Sequence, residues 1–197
     1  MLEVKRFIFG PFETNCYVVS DGQQVLLVDP ACSNNYEQQQ LLNYINSFNL
    51  QPSTFNIIAT HGHLDHLWGA KWATEQWHTP VLMHEADIPM AHAMQQQYNL
   101  FGIRRQAEPF EVRPLTAHLS PFTVMHTPGH TPGSICLYFP EEKILFSGDT
   151  WFEMGYGRTD LPGGDYCRLM DSLQRLFALP TGVHVYPGHG DDFVTRK

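Results

Sequence analysis

The run Thr60-His61-Gly62-His63-Leu64-Asp65-His66 packs three imidazoles and a carboxylate into a few positions, directly after the apolar stretch Phe55-Asn56-Ile57-Ile58-Ala59. Neutral imidazole and carboxylate are ligands for zinc and related divalent ions, and so dense a run is hard to explain without metal. If residues 55–59 form a strand, the loop leaving it sends His61 and His63 the same way, because extended residues two apart share a face. Asp65 and His66 then fall where a helix begins on Leu67-Trp68-Gly69-Ala70-Lys71-Trp72. A single ion takes three or four protein ligands. Four candidates in one segment, with others downstream, point towards two ions.

The downstream candidates each follow an apolar stretch. His130 lies in His126-Thr127-Pro128-Gly129-His130-Thr131-Pro132-Gly133-Ser134, Asp149 in Phe146-Ser147-Gly148-Asp149-Thr150, and His189 in Tyr186-Pro187-Gly188-His189-Gly190. Glycine and proline around two of them fit short, stiff loops that present side chains from one rim of a sheet.

HxHxDH followed in order by His, Asp and His resembles the metallo-β-lactamase superfamily. The finer motifs GHTPGS, FSGDT, GRTDLPGGD (residues 157–165) and YPGHG resemble its short glyoxalase II-like, or hydroxyacylglutathione hydrolase-like, branch. The likeness runs from about Asn15-Cys16-Tyr17 to Gly190. It implies an α/β fold, the four-layered αββα sandwich, with His61, His63 and His130 on one metal, Asp65, His66 and His189 on a second, and Asp149 bridging. Asp65 and Asp149 are thereby the candidate catalytic carboxylates as well as ligands. By the same resemblance the cofactors are two divalent ions, expected to be zinc, although oxygen ligands also accept iron or manganese. Water between two such ions loses a proton near neutral pH, and the resulting hydroxide attacks a carbonyl carbon. No protein nucleophile is needed, so the lack of a G-x-S-x-G motif is no objection.

The elements that must position these residues can be sketched from periodicity. Strands are expected at 5–9, 16–19, 25–28, 55–59, 123–126, 134–139, 144–147 and 183–186, with Asp21-Gly22 as a turn. Leu41, Leu42, Ile45 and Phe48 at helical spacing predict a helix over 36–48. Further helices are expected from the metal loop to about His78, which Pro80 stops, around 86–92 and 94–101, and over 166–177. Two sheets packed face to face with helices outside fit this order. No linker or repeat divides the chain, so a single metallo-hydrolase domain over 1–197 is expected.

The chain has 197 residues, of which 43% are apolar and 16% charged, an ordinary globular balance. Its formal net charge of −8, with only 12 Lys and Arg, argues against nucleic-acid binding and hence against the ribonuclease branch. No apolar run reaches the length of a membrane span, and the first residues lack a signal-peptide core, so a cytoplasmic location away from membranes is expected. Cys16, Cys32, Cys136 and Cys167 stand singly and read as reduced thiols; Cys32, beside Asp29-Pro30, is read as packing rather than ligating. Oligomeric state is not legible.

Several residues are read as bracing the ligands through hydrogen bonds: Asp29, Thr60, Ser134 and Thr150, with Thr131 beside them. Capping or turn formation explains the hydroxyls equally well. His84, His92, His118, His126 and His184 are read as structural. The resemblance to the glyoxalase II-like branch implies a small-molecule thioester as partner, S-lactoylglutathione or another acylated thiol. Eight residues follow His189 in this sequence, so the helical domain whose basic residues grip glutathione in longer glyoxalase II enzymes is expected to have no counterpart, which counts against glutathione recognition. Arg158 is the nearest candidate cation for an anionic tail, with Arg104 and Arg105 further off; pairing with Asp160 or Asp165 is an equal reading of Arg158. Met90, Met94, Tyr98, Leu100 and Phe101 are expected to border an apolar mouth, as are Trp151, Phe152, Met154 and Tyr156. The alternatives are a persulfide dioxygenase with one iron on His61, His130 and Asp149, a lactonase, and a metal-binding module without turnover. A β-lactamase is disfavoured because zinc β-lactamases with two metals usually carry Cys where Asp149 stands.

Overall fold

A computed structural model describes residues 2–48, 55–115 and 121–196; His118 lies outside them. Two sheets face each other. The first has six strands in the order β1 (Glu3–Phe9), β2 (Thr14–Ser20), β3 (Val25–Val28), β4 (Phe55–Ile58), β5 (Val81–Met83) and β6 (Val112–Pro114). The second runs β11 (Phe193–Val194), β10 (His184–Pro187), β9 (Ile144–Gly148), β8 (Ile135–Phe139) and β7 (Thr123–His126). The outer layers are helices α1 (Asn35–Asn46), α2 (Ala70–Trp77), α3 (Ile88–His92) and α4 (Met94–Leu100) on the first sheet, and α5 (Tyr166–Phe177) on the second.

Four layers follow from strands that are apolar on both faces. In β2 and β3, Cys16, Val18, Val25 and Leu27 face the helices, packing with Leu41, Ile45, Ala73 and Trp77. The alternate residues Tyr17, Val19, Leu26 and Val28 face inward, meeting Ile135, Leu137, Phe139 and Phe146 of the other sheet. Cys136, Leu145 and Val185 in turn face Leu176 of α5. Strands buried on both sides read as continuous apolar runs, and the period of two sorts their side chains between layers. Asn34 caps α1 by accepting from the amides of Tyr36 and Glu37, and Asp165 caps α5 by accepting from that of Arg168.

Strand direction decides where the site lies. β3 and β4 are parallel, and so are β9 and β10, so each pair ends at a common edge. The two edges meet: Ile135 N donates to Thr60 O at 2.9 Å and Asn15 N to Gly188 O at 2.7 Å. Every candidate ligand stands on a loop at this shared rim.

The helix expected to start at Leu67 starts instead at Ala70, after a stretch of turns. Gly69 N donates to Pro30 O at 2.8 Å, and a Cβ at Gly69 would lie 2.2 Å from Cys32 Sγ. The chain is thus pinned against residues 30–32 before it can wind. Cys32 is accordingly a packing residue, its thiol pushed up to about 12 by burial and then by Glu37. Strands β5, β6 and β11 were not expected; β11 is only two residues long. Among the described residues no helix is long and apolar enough to cross a membrane.

Candidate metal centre

Seven side chains from four loops converge at the rim. His61, His63, Asp65 and His66 follow β4, His130 lies between β7 and β8, Asp149 follows β9 and His189 follows β10. Their ligand atoms fall into overlapping groups: His61 with His63 and His130, His61 with His66 and Asp149, and Asp65 with His66 and His189. Asp149 Oδ1 is 3.4 Å from His66 Nε2, while its Oδ2 is 3.4 Å from His130 Nε2 and 3.6 Å from His189 Nε2. Asp65 Oδ2 is 3.3 Å from His66 Nε2 and 3.2 Å from His189 Nε2. Gly188 makes room for this crowding, since a Cβ there would lie 2.1 Å from Asp149 Oδ1.

Partners behind the rings assign their tautomers. His61 Nδ1–H donates to Thr60 Oγ1 (3.1 Å), whose hydroxyl donates to Asp29 Oδ2 (2.8 Å). His66 Nδ1–H donates to Asp29 Oδ2 (2.9 Å), His130 Nδ1–H to the Arg158 carbonyl (2.7 Å) and His189 Nδ1–H to the Phe12 carbonyl (3.1 Å). Each of these four rings therefore turns a bare Nε2 inward. His63 is the exception and turns Nδ1 inward, 3.1 Å from His61 Nε2 and 2.9 Å from His130 Nε2. Three facing lone pairs at such distances repel unless a cation lies among them. His66 Nε2 and Asp149 Oδ1 are moreover buried without a hydrogen-bond partner, which a cation would supply. The donor set fits divalent metal.

Electrostatics agree with ligation. Burial, followed by the neighbouring imidazoles, holds His61 well below the usual histidine range. The same causes, burial first and then His130, lower His63 to about 3, leaving its ring neutral and ready to coordinate. Burial opposes charge on His66 too, but Asp65, Asp149 and Asp29 outweigh it and raise that ring well above the usual range. Burial likewise disfavours charge on Asp65 and Asp149, yet His66 and its neighbours hold both carboxyls below the usual carboxylate range. The negative field that favours a proton on His66 equally favours a bound cation.

The expected bracing residues divide. Asp29 and Thr60 serve the ligands directly, and Asp29 also accepts from Thr60 N at 2.7 Å. Asp29 sits at φ 54°, a left-handed backbone at the end of β3 where its carboxylate faces both loops. Ser134 instead fixes the turn carrying His130, through Thr131 N (3.1 Å) and Thr131 Oγ1 (2.7 Å). Thr150 reaches no ligand; its hydroxyl bonds Thr127 at 2.9 Å. Arg158 contributes its carbonyl to His130, while its guanidinium makes two 2.6 Å bonds to Asp160.

Sequence reasoning missed Asp87, which is fully buried. Its Oδ2 accepts from Gly62 N (2.8 Å) and Thr131 Oγ1 (2.6 Å), and its Oδ1 from Gly133 N (2.6 Å), tying the His61–His63 loop to the His130 loop. Gln97 of α4 adds a strap, donating to Gly62 O and accepting from Leu64 N, both at 2.9 Å. Thr14 Oγ1 donates to Asp65 Oδ2 at 2.8 Å. None of these three belongs to a motif; Asp87 follows Glu85 in a helical stretch with nothing local to single it out, and only the fold brings it to the site. His84 and His126 stack on each other with ring centroids 3.9 Å apart, away from the ligands, and His184 pairs with Asp192.

Two clefts open onto the cluster. A smaller one of about 150 Å³ lies over the ligands, and a larger one of about 440 Å³ adjoins it; His63, Gln97, Phe101 and Leu161 line both. Of the expected apolar mouth, Met90, Leu100 and Phe101 line the larger cleft, whereas Met94 and Tyr98 belong to the core under α4. Trp151 and Met154 face a different hollow beside Phe177 and Phe193, and neither borders these clefts.

A histidine–aspartate cluster at the joined rims of an αββα sandwich defines a class, the metal-dependent hydrolases of the metallo-β-lactamase fold. This chain belongs to that superfamily: residues 9–189 match the family model described as "Metallo-beta-lactamase superfamily". The probable metallo-hydrolase YqgX of Bacillus subtilis is 32% identical over 95% of this chain and 90% of its own length. The hydroxyacylglutathione hydrolase GloC of Haemophilus influenzae is 30% identical over 91% of this chain and 86% of its own. The crystal structure of TTHA1623 in a di-iron-bound form superposes with a TM-score of 0.86 at 35% identity, covering 96% of this chain and 94% of that one.

Proposed function

We propose that the protein hydrolyses a small thioester with two divalent ions held in the cluster. His61, His63 and His130 would hold one ion, Asp65, His66 and His189 the other, and Asp149 would lie between them. The observation that carries this reading is the Asp149 carboxylate, which touches both histidine sets: Oδ1 lies 3.4 Å from His66, and Oδ2 lies 3.4 Å from His130 and 3.6 Å from His189. Such ions supply Lewis acidity, polarising a carbonyl oxygen and making water acidic near neutral pH.

The chain's own groups do the rest. The acceptors Asp29, Phe12 O and Arg158 O hold the Nδ1 protons of His66, His189 and His130 outward, which keeps each inward lone pair available. Asp65 and Asp149 stay anionic, so neither serves as a proton donor at neutral pH. Among the described residues no serine, threonine or cysteine lines the cleft over the ligands, which supports water as the nucleophile. The likeness to GloC supports a thioester as the bond cleaved, and the di-iron form of TTHA1623 supports a pair of ions. Zinc, iron and manganese all suit these ligands. A single iron on His61, His130 and Asp149 would leave Asp65 and His189 without a purpose.

The experiment is metal analysis of the purified protein together with thiol release from S-lactoylglutathione and simpler thioesters. Two ions per chain with thiol release is the expected result. One iron per chain with oxygen-dependent persulfide oxidation would overturn the reading.

A further inference from the structure

The larger cleft beside the cluster has the wrong chemistry for a charged substrate tail. It measures about 440 Å³, within the range of small-molecule sites, and is walled by Pro89, Met90, Leu100, Phe101, Leu161 and Pro162. Its polar contributions are His63, which belongs to the metal cluster, and the amides of Gln96 and Gln97. Gln97 is already committed to Gly62, Leu64 and Met90. Leu100 and Phe101 stand 60% and 40% exposed at the edge, an arrangement that costs solvation unless something covers them.

Among the described residues, the lining of the larger cleft holds no lysine or arginine for an anionic tail. Among the described residues lining either cleft only Arg158 is cationic; it borders the smaller cleft, not the larger, and its Nε and Nη2 donate to the two oxygens of Asp160. A glutathione moiety carries two carboxylates, and among the described residues lining the larger cleft there is no lysine or arginine to meet them. The cleft also adjoins the space over the ligands, because His63, Gln97, Phe101 and Leu161 line both. A group lying in it is covalently within reach of the bond over the metals.

We propose that this cleft takes an uncharged, apolar arm of the substrate, an aliphatic or aryl group joined to the bond being cleaved. The proposal rests on the hydrolase reading above and narrows its substrate class. The arm is either the acyl chain or the thiol substituent, and the test separates the two.

Two series decide it: N-acetylcysteamine thioesters with acetyl, butanoyl and hexanoyl groups, and acetyl thioesters of ethane-, butane- and hexanethiol. Specificity, kcat/KM, should rise about three- to fourfold per methylene in one series, the ordinary gain for burying a CH₂, and that series names the arm. Leu100→Glu should flatten the rise while metal content stays at the wild-type level. Cleavage without any rise in either series would overturn the cleft proposal and leave the thioesterase reading intact. If no thioester is cleaved, the thioesterase reading falls, and calorimetric binding of acetate, butanoate and hexanoate decides the cleft. Affinity that climbs with chain length would uphold the apolar site; equal affinities would overturn it.

Discussion

The ligand cluster and the cleft beside it share a wall and are built on different terms. His61, His66, His130 and His189 stand on loops at strand ends, and each is held from behind by a carboxylate, hydroxyl or carbonyl. Met90 and Leu100 stand on the short helices α3 and α4 and Phe101 just after α4, and these apolar side chains line the cleft without hydrogen bonds to fix them. Directional hydrogen bonds fix angle and tautomer, which a metal ligand needs; packing fixes only volume, which is what an apolar binding wall needs. The ligands are thus presented from the strand ends, while the proposed substrate wall comes from the helical segment. Asp87 and Gln97 join the two regions, since residues from the helical segment strap the His61–His63 loop.

The largest expected effects come from the ligands. Asp149→Ala or His63→Ala should remove metal and lower hydrolysis on the order of a thousandfold, about 4 kcal/mol in transition-state stabilisation. Far-UV circular dichroism should stay that of the folded protein. Wild-type metal content and activity in the Asp149 variant would refute a bridging carboxylate.

Asp87→Asn should come next, and it tests whether the strap matters to the chemistry. The amide cannot accept all three donors, and leaving buried donors unpaired costs about 1–3 kcal/mol, to be read from the urea midpoint at unchanged slope. Metal affinity by chelator competition should fall about tenfold to hundredfold. Lost stability with unaltered affinity would separate Asp87 from the site. Asp29→Asn should weaken metal by a similar tenfold or more, because His66 Nδ1–H then faces a donor in one amide orientation. Its cost in stability should be smaller, since the amide oxygen can still accept from Thr60 N.

Arg158→Ala should have the smallest effect, less than about threefold in kcat/KM for an uncharged thioester. The exposed pair with Asp160 contributes little, and the carbonyl that serves His130 survives the substitution. A large loss would make Arg158 a substrate-binding cation and count against the apolar character assigned to the cleft.

Most of the candidate ligands could be read from sequence because metal ligation leaves a dense, ordered pattern of rare side chains on short loops. The strands β2, β3, β8 and β9 were equally legible, as their alternate residues feed two different cores. Asp87 was hidden because its three donors lie far away in sequence and two are backbone amides, which carry no residue signature. β5 and β6, three residues each, are too short for periodicity to register. The start of α2 moved to Ala70 because Gly69 is bonded to Pro30 across the fold, a contact no local propensity encodes. Met94 and Tyr98 look no different in sequence from Met90 and Phe101, and only packing sorts wall from core.

Reconstitution of metal-free protein tests the central claim most directly. Zinc or iron would be added stepwise while thiol release from the best thioester is followed. The account predicts that activity reaches its plateau at two ions per chain. A plateau at one ion, with the second adding nothing, would contradict the paired site and the bridging role of Asp149.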